Sequence, residues 1–177
     1  MRIRTAAQTA WVRIVDRNKM YEIFPQVGVD SVKFGMSADD VESLWGAPAR
    51  KSKNFLGNKT EVRDASLVTY DRADDGVAEV GFPSSYAQLT LKGVQVFQQP
   101  HAKTIGQLRQ LDSDAFEGDG FIVFKNLGVS LSGFRSDDFD ALTATAFKLG
   151  WWDDELADMT KLVFVRRMTV RIHTTCR

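Results

Sequence analysis

The chain has 177 residues, with 23 Lys plus Arg against 23 Asp plus Glu, two His and one Cys. That length suits one domain with at most an appendage, and a 44% hydrophobic composition can build a core, which excludes disorder throughout. One cysteine excludes an intramolecular disulfide and a cysteine zinc cluster, no long apolar run offers a membrane helix, and zero net charge argues against a nucleic-acid coater.

Neutrality hides segregation. Residues 1–19 hold Arg2, Arg4, Arg13, Arg17 and Lys19 against Asp16, and residues 161–177 hold Lys161, Arg166, Arg167, Arg171 and Arg177 with no acid. The remaining 20–160 carry 13 bases against 22 acids, a net of −9. The expected division is a basic N-terminal extension (1–19), an acidic α+β domain (20–160) and a basic C-terminal strand or tail (161–177). An acidic body repels nucleic acid and attracts basic protein surfaces. Solubility is the plainer reading of the same charge.

At the N-terminus, residues 6–12 are short, interrupted by polar groups and followed by Arg13, unlike the apolar region of a secretory signal. They read as a short amphipathic helix, with Trp11, Ile14 and Val15 on one side, or as an extension. The only thiol is Cys176, so no lipid-attachment cysteine lies near this end, and the expected address is the cytoplasm.

Residues 29–34 form a strand candidate ending at Gly35. Ser37 and Asp40 then make a capping box, Val41, Leu44 and Trp45 share one helix face, and Gly46-Ala47-Pro48 stops the helix. Residues 50–60 read as a loop. Two β-prone stretches, 61–70 and 77–82, flank Asp75-Gly76, a turn dipeptide whose two positions favour positive φ. Asp71, Asp75 and Gly76 also fit positions of a calcium loop, but Ala73 and Phe82 stand where ligands are needed, so the turn reading wins.

Residues 87–98 read as one strand bent at Gly93. Thr104 and Gln107 make a second capping box, with Ile105, Leu108 and Leu111 on one side of a short helix. A hairpin spans 121–131 around Asn126-Leu127-Gly128. Ser136, with Asp137 and Asp138, is expected to cap a third helix whose face is Phe139, Leu142, Thr143, Ala146 and Leu149, closed by Gly150. Residues 162–172 read as an edge strand or tail.

Ser37, Asp40, Val41 and Leu44 match Thr104, Gln107, Leu108 and Leu111 at one offset. A duplicated strand–helix–hairpin unit and chance similarity between capped helices both account for four matches. The expected architecture is a single α+β domain: an antiparallel sheet of five to seven strands with two or three helices packed on one face.

The stretch 32–48, with Gly35-Met36-Ser37, Val41 and Leu44-Trp45-Gly46-Ala47-Pro48, resembles a recurring bacterial module. It is similar to the first unit of β-lactamase-inhibitory proteins and of small outer-membrane assembly lipoproteins. It also resembles a set of cytosolic bacterial proteins, some encoded beside toxin genes as candidate immunity proteins. In that set a Tyr-Asp-x-x-Gly hairpin follows the helix, as Tyr70-Asp71 and Asp75-Gly76 do loosely here, and then a Leu-x-Gly-Val strand, as Leu91-Lys92-Gly93-Val94 does. The likeness spans about residues 28–150. The lipidated cysteine of the lipoproteins and the disulfides of the secreted inhibitors have no counterpart, which leaves the cytosolic set. The resemblance implies a toxin-neutralising protein, whose acidic body would speed encounter with a basic active site.

Chemical motifs are scarce. No nucleophile elbow, metalloprotease helix, phosphate loop or dinucleotide fingerprint is present. His101 and His173 read as surface histidines and Cys176 as an incidental thiol, so no catalytic residue, metal ligand or cofactor is expected. Asp137, Asp138 and Asp140 read as a helix start rather than a metal cluster, and so do Asp153, Asp154 and Glu155, because consecutive acids seldom converge on one face of a helix.

Trp151-Trp152-Asp153-Asp154-Glu155 is the most unusual run. Core packing of the tryptophans is favoured over an exposed hot spot, and both readings stand. The candidate partner-binding residues are Asp137, Asp138, Trp151, Trp152, Asp153, Asp154 and Glu155. Two functions follow: a non-enzymatic inhibitory protein that neutralises a basic toxin by contact, or a scaffold module that self-associates, as a dimer through the C-terminal strand.

Overall fold

The computed structural model describes residues 19–63, 65–84, 88–135 and 142–162. The expected N-terminal helix, Asp137, Asp138, Asp140, His173, Cys176 and nearly all of the 162–172 strand lie outside them. The described residues form an α+β domain with two sheets and three helices.

The described residues begin with an element to which sequence reading assigns no structure, β1 (Met20–Phe24). Its alternation buries Tyr21 and Ile23 and exposes Met20 and Phe24, a period of two. The expected 29–34 strand is a tight hairpin of β2 (Gly28–Val29) and β3 (Val32–Lys33), with Asp30 at positive φ between them.

Helix α1 (Ala38–Trp45) begins as expected. The Ser37 hydroxyl accepts from Asp40 N, and the Asp40 carboxylate accepts from Ser37 N. Its buried contact differs from expectation: Val41 is fully buried and Trp45 packs edge-on against Tyr21, while Leu44 is 48% exposed.

Four antiparallel strands follow: β4 (Arg50–Lys53), where a loop was expected, β5 (Lys59–Arg63), β6 (Ser66–Tyr70) and β7 (Val77–Pro83). Between β6 and β7, Asp75 has positive φ, as the turn requires. Gly76 serves space instead: a Cβ there would lie 2.8 Å from the Gly35 backbone.

The expected bent strand at 87–98 is also a hairpin, β8 (Gln88–Leu91) and β9 (Val94–Gln95), turning at Lys92-Gly93 with both residues at positive φ. Helix α2 (His101–Leu111) starts earlier than its expected cap. Pro100 precedes it, and Thr104 lies inside it, fully buried, with its hydroxyl donating to Val96 O. His101, expected at the surface, is half-buried with its ring 5.2 Å from that of Phe134.

Another four antiparallel strands follow: β10 (Ala115–Gly118), β11 (Phe121–Phe124), β12 (Val129–Ser132) and β13 (Thr143–Phe147). The expected 136–150 helix is contradicted by β13. Thr143-Ala144-Thr145-Ala146 alternates, with Ala144 and Ala146 buried, and Leu149 is 73% exposed instead of facing a core. A four-residue helix α3 (Asp153–Leu156) and β14 (Thr160–Lys161) complete the described residues.

The small sheet runs β3-β2-β1-β8-β9, with β1 and β8 parallel. The large one runs β14-β10-β11-β12-β13-β7-β6-β5-β4. In the large sheet β4–β7 follow α1 and β10–β13 follow α2, and the last strand of each set, β7 and β13, meet antiparallel at the middle. The two sets thus run outward in mirrored order from a central seam. Tyr21, Leu89 and Leu91 from the small sheet pack with Val68, Val80 and Phe82 from the inner face of the large one. Val41 of α1 and Ile105 and Leu108 of α2 enter the same core. Two helices therefore share that face, and α3 packs on the other.

One polar cluster lies in this core. Glu61 is wholly buried, and its Oε2 accepts from Arg63 Nη2 at 2.6 Å and from Tyr70 OH at 2.8 Å. Arg63 Nη1 donates to Gly46 O, tying β5 to the end of α1. Burial pushes the Glu61 carboxyl up, but Arg63 and Tyr70 outweigh it and hold the group below its usual range. Burial and the Glu61 carboxylate push the Tyr70 phenol well above its usual value.

Candidate functional site

The outer face of the large sheet follows from register. Partners across a ladder share a face. Leu67 opposes Gly81 and Thr69 opposes Glu79, while Gly81 opposes Thr145 and Pro83 opposes Thr143. These side chains line a groove over the central seam that encloses about 280 Å³. Gly81 forms its floor: a Cβ there would stand 3.1 Å from Thr145 Oγ1, so a side chain would press into the wall. Leu67 on the rim is 44% exposed, large for an apolar residue in a strand.

Among the described residues Glu79 is the one ionisable group lining the groove. Its Oε1 accepts from Trp152 Nε1 at 3.1 Å. Burial pushes its carboxyl above the usual range; the Trp152 and Trp151 indoles pull it down, and Glu155 adds to the rise. No cation among the described residues pairs with it.

Both tryptophans are half-buried. The Trp152 ring lies 5.3 Å from that of Phe121 and 5.8 Å from that of Phe147. With Val123, Phe147, Leu156 and Met159 they form a second apolar cluster on the outer face. Packing is thus the main role of Trp152, which also hands its N–H to Glu79. Trp151 lies beneath Lys148, whose ammonium is 5.5 Å from the ring. That cation is otherwise engaged, at 2.6 Å from Asp71 and 3.4 Å from Asp74.

The expected acids Asp153, Asp154 and Glu155 are exposed on the single turn of α3, and Asp153 pairs with Lys125 at 3.0 Å. Asp137 and Asp138 lie outside the described residues. The structure thus brings Trp151, Trp152 and Glu155 together with Glu79, which sequence reading missed. The alternation in β7 marks Glu79 and Gly81 as a face opposite Val80 and Phe82, but it does not say which strands flank them.

A second exposed feature also escaped the sequence reading. At the tip of the β4–β5 hairpin Phe55 is 95% exposed, on a turn closed by side-chain hydrogen bonds. Asn54 Oδ1 accepts from Leu56 N and Asn58 N, and Arg72 Nη1 donates to Leu56 O.

Among the described residues no three His, Cys, Asp or Glu groups gather to hold a metal ion, and no helix is long and apolar enough to cross a membrane. Neither family models, curated protein sequences nor solved structures yield a match to the chain.

Proposed function

We propose that the chain is a non-enzymatic binding and inhibitory protein of the toxin-immunity kind, acting in the cytoplasm by covering a basic surface of its partner. The observation that carries this reading is the open groove on the outer sheet face, with Glu79 at its wall and the exposed acids of α3 beside it. The net −9 of residues 20–160 supports it, because long-range attraction to a basic partner accelerates encounter. The resemblance of residues 32–48 to the inhibitory and immunity-like proteins points the same way.

Co-expression with the product of the adjacent gene tests the reading. The expected result is restored growth and a 1:1 complex on gel filtration. Reversing Asp154 and Glu155 to lysine should slow association by about tenfold at low salt. No rescue and no complex would overturn it.

A further inference from the structure

A carboxylate drawn into an apolar groove without a cation is costly, because water is removed and nothing of opposite charge replaces it. Among the described residues Glu79 is in that condition. Its hydrogen bond from Trp152 Nε1 is neutral, and the nearby bases are committed elsewhere: Lys148 to Asp71 and Asp74, and Lys125 to Asp153. Around it the groove offers the Thr69 and Thr145 hydroxyls, the apolar wall of Leu67 and Pro83, and the open floor at Gly81. Its 280 Å³ is below the range usual for drug-sized ligands, which suits one inserted side chain.

We propose that this groove receives one arginine side chain of a protein partner, with Glu79 as its counter-ion. The inference rests on the reading of the chain as a binding protein and deepens it. A guanidinium fits better than an ammonium for two reasons. It is less strongly hydrated, so it gives up less on entering an apolar slot. Its fork of donors serves the carboxylate and the threonine hydroxyls together. The extra negative charge of Glu155 strengthens the preference for a cation.

The test titrates the protein with N-acetyl-arginine amide and follows the Trp152 indole N–H resonance. N-acetyl-citrulline amide, neutral and of the same shape, and N-acetyl-lysine amide are the comparison arms. The expected result is a saturable shift with the arginine amide, a weaker response to the lysine amide and none to the citrulline amide. Glu79→Gln keeps the acceptor for Trp152, so the fold should stand, and it should weaken the arginine response by about tenfold or more. A citrulline response equal to that of arginine, a lysine amide that binds more tightly, or an unchanged response in E79Q would overturn the proposal. The two readings fail separately. A partner complex whose affinity E79Q leaves unchanged removes the arginine inference alone. Titration by the arginine amide with no partner complex removes the partner reading alone.

Discussion

Two glutamates of the large sheet show how one residue type takes opposite roles. Glu61 on the inner face has Arg63, Tyr70 and the Lys59 ammonium as partners; Glu79 on the outer face has an indole and, among the described residues, no cation. Removing Arg63 takes away the closest cation of Glu61 and leaves Lys59 at 3.4 Å and Lys51 at 3.6 Å, so Arg63→Met should cost about 3 kcal/mol, the low end for a broken buried pair, read by urea unfolding. Pairing it with Glu61→Leu should restore part of that loss, since the apolar pair carries no desolvation debt.

The pH responses of the two groups oppose each other. Glu61 is depressed in the fold, so its contribution is present above the unfolded carboxyl value of about 4.3 and is lost as pH falls through the folded value. Glu79 is raised, so its contribution is complete below about 4.3 and is lost as pH rises through its folded value. Glu79→Gln should therefore gain on the parent chain as pH rises across that window, measured as the difference in urea midpoint. An unchanged difference across the window would refute it.

Among the elements, α1 was the most legible because its signals are local. The Ser37–Asp40 box, the Val41 and Trp45 spacing and the Gly46 stop all lie within a dozen residues. Ser37→Ala should lose about 1 kcal/mol of unfolding free energy by removing the acceptor for Asp40 N. Strand β13 was misread because Leu142, Ala146 and Leu149 imitate helical spacing after an acidic, Ser-led start. Its Thr-Ala alternation was the competing signal, and pairing on both sides, with β7 and β12, decides for the strand. Likewise β10 follows from Asp119-Gly120, both at positive φ, a tight hairpin turn that sequence reading passed over. The start of α2 was moved by Pro100, which suits a helix entrance, while Thr104 is spent on Val96 O.

At the scale of the molecule, the α+β class was readable from alternating helix and hairpin signals. Division of the strands between two sheets was not, because it depends on β1 pairing with β8 far along the chain. The groove was hidden for the same reason: Leu67, Gly81 and Thr145 come from three strands, and only register brings them together. The run Trp151–Glu155 stood out in the sequence, but its orientation toward Glu79 did not. Since both sheets join the first half to the second, through β1·β8 and β7·β13, the domain should unfold in one step. Tryptophan fluorescence and far-ultraviolet circular dichroism should trace coincident transitions in urea; separate midpoints would show that the halves melt independently.

The central seam has one more effect. The groove's walls belong to β6 and β7 on one side and β13 on the other, so whatever fills it bears on the junction itself. Occupancy favours the joined state over any state in which the halves have parted, and its free energy adds to the stability of both. A ligand here is a clasp. It would slow amide exchange in strands of either half, including strands it never touches, because those amides open only when the junction does.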